Sequence, residues 1–176
     1  LYVCYDNEGY MNTGYQRSST TTQGSRTSTT PIGSRLSGKQ QGQKYLPLIM
    51  AMHGAEYCAA ATPANMKDLV EKIQKGLAAS KRGFAYLHVF SPCPSGWSFP
   101  QDQTIEVAKK AVQSNVFPIW EKDSDGFKLN YVNKNPITVK EFASQIGKFR
   151  NLSEQQLQSI QKDVDERYAI LTAICK

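Results

Sequence analysis

Short apolar runs alternate with amphipathic runs of helical length through the middle of this chain. The apolar runs predict strands at residues 1–5, 55–61, 84–90 and 116–120. The amphipathic runs and their end signals predict helices at residues 46–52, about 62–83 and 104–114. Strands that alternate with helices of this length are typical of an α/β domain with a parallel sheet. Ligands bind at the carboxyl ends of such strands, so residues 6–13 and 91–97 are the candidate binding loops.

The second predicted helix has signals at its start and along one face. Thr62 and Pro63 are suited to an N-cap and a first-turn proline. Apolar residues then recur at helical spacing, at Met66, Leu69, Val70, Ile73 and Leu77. This spacing is typical of an amphipathic helix.

A hairpin follows the last predicted strand. Residues 123–126 (DSDG) suit its turn, with flanking runs at 118–122 and 127–132. We divide the chain here, into a sheet domain at residues 1–120 and a C-terminal extension of hairpin and helices at residues 121–176.

Capping residues mark two helices in this extension. Thr138 can cap a short helix that runs through Phe149, and Ser153 with Gln156 forms a capping box for a final helix. The final helix has a single apolar stripe, made of Leu157, Ile160, Val164, Tyr168 and Leu171. Such a stripe usually packs against its own domain or a partner subunit, so no chemistry is predicted there.

Composition and charge exclude several classes of protein. Of the 176 residues, 40% are hydrophobic and 20% charged, and no apolar run approaches the roughly 20 residues that cross a bilayer, so no membrane is predicted. The net charge of +6 indicates an acidic partner only weakly. Arginine-rich runs with interleaved aromatic residues are missing, so no nucleic acid is predicted as a partner. The four cysteines lie far apart and lack zinc-site spacing, which favours a reducing compartment, the cytoplasm.

Two segments resemble signatures of the 2-oxoacid:ferredoxin oxidoreductases, the pyruvate synthase family. Residues 5–18 (YDNEGYMNTGYQRS) are similar to the second half of the family's thiamine-diphosphate motif, where a strand ends and its loop meets a magnesium ion. Residues 91–97 (SPCPSGW) resemble the loop that brings a cysteine to a 4Fe–4S cluster. The resemblance implies the C-terminal half of the β (thiamine-diphosphate-binding) subunit, with a parallel-sheet thiamine-diphosphate-binding fold followed by a hairpin and helices.

The resemblance also implies roles for residues of the first motif. Asn7, through its side-chain oxygen, and Gly9, through its backbone carbonyl, would bind the Mg²⁺ that anchors the diphosphate, since Mg²⁺ prefers oxygen ligands. Asn12 would face the thiazolium and hydrogen-bond the carboxylate or developing oxyanion of a 2-oxoacid. Thr13 belongs to the same cofactor-binding set. Taken alone, residues 6–9 are more often a simple strand-ending turn, and the continuation through Asn12 and Thr13 favours the cofactor site.

Cys93 is the predicted ligand to the cluster. A lone cysteine after a buried strand is more often a core residue, but prolines on both sides and the Gly96–Trp97 pair indicate an exposed, shaped loop. The other cysteines lie in predicted strands or the final helix, and we interpret them as non-ligands: Cys4, Cys58 and Cys175.

Several other polar residues are interpreted without a catalytic role. Asp6 and Glu8 are not the predicted base, because in the family the cofactor's own aminopyrimidine performs the deprotonation. His53 lies at a helix end and His88 within an apolar strand, so both are interpreted as structural histidines.

Residues 18–38 form a segment that is unusually rich in Ser and Thr, which make up 12 of its 21 residues. Composition alone predicts disorder. The resemblance implies instead that this Ser/Thr segment folds over the cofactor region and contacts neighbouring subunits. We therefore predict that it is ordered in the assembled enzyme through hydrogen bonds from its hydroxyls to the backbone.

Three elements of the family pattern are missing from the sequence: a Gly-Asp-Gly motif, whose aspartate binds magnesium, a CxxC pair and a further cysteine. We expect a fragment or a split subunit, which by itself binds neither cofactor. The expected partners are the N-terminal half of this subunit, other subunits of α, γ and δ type, ferredoxin, a 2-oxoacid and coenzyme A.

The activity implied by the resemblance is thiamine-diphosphate-dependent oxidative decarboxylation of a 2-oxoacid, with pyruvate as the first candidate. The products are acyl-CoA and CO₂, and the electrons pass through 4Fe–4S clusters to ferredoxin. A homologue specific for oxalate or a branched-chain 2-oxoacid is an alternative, because nothing in the sequence defines the substrate pocket. Two further alternatives are a non-redox thiamine-diphosphate enzyme and a half-domain that serves only as an assembly surface.

Overall fold

A computed structural model describes residues 1–175 of the chain. Its strands are, in chain order, β1 (Tyr2–Asp6), β2 (Gly9–Tyr10), β3 (Gln16–Arg17), β4 (Ile32–Gly33), β5 (Leu36–Ser37), β6 (Tyr57–Ala61), β7 (Ala85–Phe90), β8 (Trp120–Asp123) and β9 (Gly126–Leu129). Its helices are α1 (Leu46–Met52), α2 (Met66–Ala79), α3 (Pro94–Trp97), α4 (Thr104–Gln113), α5 (Val139–Ala143) and α6 (Glu154–Ile174), with 3₁₀ turns at Gln101–Gln103 and Gly147–Phe149.

Five strands form the main sheet, in the order β1-β7-β6-β8-β9. The first three run parallel, which confirms the α/β prediction, and β8 and β9 add an antiparallel edge. The predicted strand at residues 116–120 is wrong, because β8 begins only at Trp120. Phe117 is buried and donates its backbone N–H to the Ala111 carbonyl at the end of α4. Residues 116–118 are therefore apolar because they fill the core, whereas the Ile119 carbonyl accepts from the Asn130 N–H at 3.0 Å and continues the pairing beyond β8 and β9.

Helices cover both faces of this sheet. Alternate residues of β6 face opposite layers, with Ala59 and Ala61 packed in the cluster under α2 and Cys58 and Ala60 in the larger core on the other face. Every residue of β6 and β7 is buried, as expected for central strands that are covered on both sides.

Helix α2 begins and packs differently from the sequence prediction. Asn65, not Thr62, is its N-cap. The helix faces the sheet with Leu69, Lys72, Gly76 and Ala79. Four of the five residues in the apolar stripe are exposed: Met66, Val70, Ile73 and Leu77. Leu69 and Ala79 belong to the same buried cluster as Ala59 and Ala61 of β6, and Lys72 Nζ donates to the Ala60 carbonyl at 2.8 Å. This apolar cluster and the buried hydrogen bond therefore hold the inner face of α2 against the sheet.

The C-terminal elements follow the predicted caps. The hairpin forms from β8 and β9, and it extends the main sheet through β6. Thr138 caps α5, but the predicted helix is interrupted and resumes only as the 3₁₀ turn at Gly147–Phe149. Ser153 and Gln156 form the predicted capping box of α6, which buries Ile160, Val164 and Leu171. No helix in residues 1–175 is both long and apolar enough to cross a membrane.

Candidate functional site

The ends of β1 and β7 bring the two candidate loops together. Asp6 and Phe90 are partners in the parallel ladder between these strands. Because parallel strands end at the same edge of a sheet, residues 7–9 (the Asn7 loop) and residues 91–97 (the Cys93 loop) lie side by side. One hydrogen bond joins them directly, from Trp97 Nε1 to the Asn7 carbonyl at 2.9 Å. The predicted position of both loops at the carboxyl edge is confirmed.

In the Asn7 loop, both predicted magnesium ligands are half-buried. The Asn7 side-chain oxygen accepts a long hydrogen bond of 3.3 Å from the Gly9 N–H, and an amide oxygen has a second lone pair for an ion. A Cβ on Gly9 would lie 2.8 Å from the ring of Tyr15, so this turn packs too tightly for a larger residue. Neutral amide and carbonyl oxygens are hard ligands, which fit Mg²⁺.

Glu8 is the buried centre of the Asn7 loop. It has a left-handed backbone (φ 60°) and is only 1% exposed. Its Oε2 accepts hydrogen bonds from the N–H and the hydroxyl of Thr22, and its carbonyl accepts one from the hydroxyl of Thr21. The Ser/Thr segment therefore wraps around Glu8 in the single chain, and it contains the hydroxyl-to-backbone hydrogen bonds that we predicted.

Lys148 supplies the counter-charge to Glu8. Its Nζ lies 2.7 Å from Glu8 Oε2 and 3.1 Å from the centroid of the Trp97 ring. Burial lowers the pKa of Lys148, although the charge of Glu8 opposes this effect. Sequence reasoning missed both residues. Lys148 lies 140 positions from Glu8, and no local pattern distinguishes it from a surface lysine.

Asp6 makes a second buried contact between charged groups. Its Oδ2 lies 2.9 Å from His88 Nε2, while His88 Nδ1 lies 2.8 Å from the Tyr86 hydroxyl. Burial alone would lower the pKa of His88, but hydrogen bonds and charge from Asp6 and Cys4 outweigh it and raise the pKa to about 9. Asp6 Oδ1 also accepts from the Glu8 N–H at 2.8 Å, so this pair supports the base of the Asn7 loop. His88 therefore has the structural role expected from the sequence.

Asn12 and Thr13 lie in the turn between β2 and β3, and both are exposed. The Thr13 hydroxyl bonds to the Gln16 side chain, which stiffens the turn. The Met11 side chain packs on Gly96 and would have to move if residue 96 had a Cβ, and this contact brings the turn against the Cys93 loop. The roles of Asn12 and Thr13 toward cofactor and substrate stay predictions.

Cys93 is half-buried at the start of α3, a single helical turn inside a loop that was predicted to be irregular. Its Sγ lies 3.4 Å from Ser95 Oγ. Cys58 differs, because it is fully buried and its thiol contacts the Pro47 carbonyl. All four cysteines are free. Within the described chain, no three His, Cys, Asp or Glu side chains form a group that could hold a metal ion.

A cavity of about 740 Å³ opens beside the Cys93 loop and the turn between β2 and β3. Its wall includes Met11, Tyr15 and Gly96 from the loop region. Arg26 and Arg150 also line it, and no carboxylate from residues 1–175 does. The local charge therefore favours an anionic ligand next to the Cys93 loop and the turn between β2 and β3.

The first half of the chain matches a known protein family. Residues 1–89 match the model described as "Thiamine pyrophosphate enzyme, C-terminal TPP binding domain". The chain belongs to this family. The matched region of this thiamine pyrophosphate enzyme domain contains the Asn7 loop, the Ser/Thr segment and nearly all of the parallel strands.

Relatives of this thiamine pyrophosphate enzyme domain include subunits of the pyruvate synthase family. The chain is 40% identical to pyruvate synthase subunit PorB of Methanothermobacter marburgensis, over 94% of the chain and 57% of that protein. It is 37% identical to ketoisovalerate oxidoreductase subunit VorB of Pyrococcus horikoshii, over 100% of the chain and 57% of that protein. It is 48% identical to NADH-dependent phenylglyoxylate dehydrogenase subunit beta of Aromatoleum evansii, over 94% of the chain and 37% of that protein. The resemblance to the pyruvate synthase family is confirmed, and the chain spans little more than half, or less, of these relatives.

We expect the His88–Asp6 pair to make stability depend on pH. Because the pKa of His88 is raised from 6.5 to about 9, the stabilisation is complete below the unfolded pKa and is lost as pH rises through about 9. His88→Gln should be less stable at neutral pH by about 2–3 kcal/mol and should lack this pH dependence. Thermal unfolding midpoints of both proteins, measured between about pH 6 and pH 10, provide the check. Parallel curves for the two proteins would contradict the prediction.

Proposed function

We propose that this chain forms part of the β subunit of a 2-oxoacid:ferredoxin oxidoreductase. The observation that carries the proposal is the direct contact between the two loops, in which Trp97 Nε1 donates to the Asn7 carbonyl at 2.9 Å. A diphosphate–metal site on one loop and a cluster ligand on the other would be close neighbours, as electron transfer between two cofactors requires. The reaction converts a 2-oxoacid and coenzyme A to acyl-CoA and CO₂, and it passes an electron pair through 4Fe–4S clusters to ferredoxin.

Thiamine diphosphate and Mg²⁺ are assigned to the Asn7 loop and the turn that follows it. Asn7 and Gly9 would bind Mg²⁺ through neutral oxygens. Thr13 would contact the cofactor, and the exposed amide of Asn12 would hydrogen-bond the substrate carboxylate or its developing oxyanion. When bound, the cofactor supplies the carbanion chemistry on the 2-oxoacid, and the residues of this chain supply position and electrostatic stabilisation.

The remaining ligands would come from outside this sequence. Cys93 would provide one thiolate to the 4Fe–4S cluster, and the other cysteines and the magnesium-binding aspartate would lie in the N-terminal half of the subunit. The relatives support this division, since the chain covers 57% of the PorB and VorB proteins. Their names describe subunits, so we also propose subunits of α, γ and δ type as partners. Four free cysteines agree with a cytoplasmic location.

A second candidate differs in substrate and electron acceptor. Pyruvate is the first candidate substrate, and the PorB relatives support it. The 48% identity to the phenylglyoxylate dehydrogenase subunit favours an aromatic 2-oxoacid, with a nicotinamide as the final acceptor. A branched-chain 2-oxoacid is supported at 37% identity.

A kinetic comparison separates these candidates. For the assembled enzyme, we expect kcat/KM for pyruvate with ferredoxin to exceed that for phenylglyoxylate by at least about tenfold. The reason is that a substrate pocket that fits a methyl group discriminates against a much larger phenyl group. The measurement is steady-state reduction of ferredoxin or NAD⁺ with pyruvate, 2-oxoisovalerate or phenylglyoxylate. A higher kcat/KM for phenylglyoxylate with NAD⁺ would replace the first candidate with the second.

Removing the thiol of Cys93 should disrupt the cluster. In the assembled enzyme, we expect Cys93→Ser to lose most of the iron and visible absorbance of the adjacent 4Fe–4S cluster, because an alcohol is a poor ligand to iron. Cys175→Ser is the matched control, since Cys175 is also half-buried and free but lies at the end of α6. Unchanged iron content in Cys93→Ser would refute the ligand assignment. An unmodified enzyme without this absorbance would favour a non-redox thiamine enzyme.

Replacing Asn7 should weaken cofactor binding through magnesium. We expect Asn7→Ala to raise the apparent Kd for thiamine diphosphate, measured at limiting Mg²⁺, by about 10–100-fold. Asn7→Asp keeps an oxygen ligand at the same place and should retain most of the affinity. Equal affinity in the unmodified enzyme and Asn7→Ala would remove Asn7 from the magnesium site.

A further inference from the structure

Separate parts of the chain meet at a buried lysine that the motifs do not contain. Lys148 lies in the 3₁₀ turn at Gly147–Phe149, far along the chain from both loops. Its Nζ is 2.7 Å from Glu8 Oε2 in the Asn7 loop, and 3.1 Å from the ring centroid of Trp97 in the Cys93 loop. The side chains of Lys148 and Glu8 are 0% and 1% exposed. A single ammonium group therefore contacts both loops in an interior shielded from water.

Backbone contacts hold this lysine from two sides. The Gly147 N–H donates to the Ser98 carbonyl at 3.2 Å, directly after the Cys93 loop. A Cβ on Gly147 would lie 2.5 Å from Ser98 Cβ, so the two backbones are in close contact. The Arg26 N–H donates to the Lys148 carbonyl at 3.1 Å from the Ser/Thr segment. These backbone contacts therefore fix the position of Lys148 independently of its side-chain contact with Glu8.

Stability alone is a poor explanation for a buried pair of charges. Burial penalises both ions, and well-packed apolar residues of similar volume often give equal or greater stability. The ion pair instead restricts the relative positions of the groups that contact the ammonium. The ammonium has to lie between the Glu8 carboxylate and the face of the Trp97 ring, so the positions of those two groups depend on each other.

We propose that Lys148 is a positioning residue that holds the Asn7 loop and the Cys93 loop at a fixed separation. The inference rests on the proposed function, in which one loop binds Mg²⁺ and the other binds the cluster. Electron transfer slows steeply with distance, so a contact that holds this separation alongside the Trp97–Asn7 hydrogen bond affects how fast the cluster is reduced. Lys148 acts through Glu8 and Trp97, because its fully buried ammonium contacts these two side chains.

The test compares Lys148→Met with Lys72→Met in the complete multisubunit enzyme. Lys72 is a matched buried lysine, with a side chain 2% exposed and its Nζ 2.9 Å from Asp68, but it belongs to α2 and contacts neither loop. The readouts are the apparent Kd for thiamine diphosphate with Mg²⁺ and the rate of cluster reduction after pyruvate is added. We expect Lys148→Met to impair each by about 10–100-fold, and Lys72→Met to lower the Tm but change neither.

A double variant covers the case in which Lys148→Met does not assemble. Glu8→Gln combined with Lys148→Met leaves no unpaired charge in the interior, so it should fold better than the single variant. We expect it to show the same two losses, because neither new side chain is a cation that contacts both residue 8 and the Trp97 ring.

The outcomes are distinguishable. The proposal is overturned if the Kd and the reduction rate of the Lys148 variants match those of Lys72→Met. It is also overturned if only one of the two readouts changes, because a contact that holds both loops has to affect both.

Hydrogen exchange tests the contact of Lys148 with Glu8 and Trp97 without any cofactor. In the Lys148 variants the amides of both loops should exchange faster. Unchanged protection of either loop would also overturn the proposal. Failure of the proposed function looks different, since Cys93→Ser would then keep its iron.

Discussion

The parallel pairing of β1 with β7 is the constraint on which the site depends. Asp6 faces Phe90 at the last step of the ladder. Because parallel strands end at the same edge of a sheet, two loops that are far apart in sequence leave the sheet as neighbours. The hydrogen bond from Trp97 to the Asn7 carbonyl then joins them. A shift of register by one residue would turn the strand-end side chains to the opposite face of the sheet and separate this pair of loops.

Two pairs of buried charged groups hold the two loops in place at the edge where the strand pairing brings them together. The Asp6–His88 pair supports the base of the Asn7 loop, and the Glu8–Lys148 pair connects that loop to the Cys93 loop. Each pair also uses hydrogen bonds from neighbours, such as those from Thr22 to Glu8. Buried polar groups are costly unless every partner is in place, so these contacts favour one arrangement of the loops over others.

The same network explains why the Ser/Thr segment has structure despite its composition. It has few apolar side chains with which to build a core, and composition alone predicts disorder. Two of its buried residues, Thr21 and Thr22, instead donate hydrogen bonds to Glu8 in the Asn7 loop. The conformations of the segment and of the Asn7 loop are therefore interdependent. The cationic residues Arg26 and Arg150 then line the cavity at this edge.

The sequence by itself determined the α/β class, the capping box of Ser153 with Gln156, and the family motifs around Asn7 and Cys93. These features depend on the spacing and chemistry of residues that are close together in the sequence. Only the tertiary structure decided that four of the five stripe residues of α2 face outward and that residues 116–118 fill the core ahead of β8. It alone paired Glu8 with Lys148. Those outcomes depend on close packing and on charges that meet across 140 positions of sequence, and no local pattern encodes such a meeting.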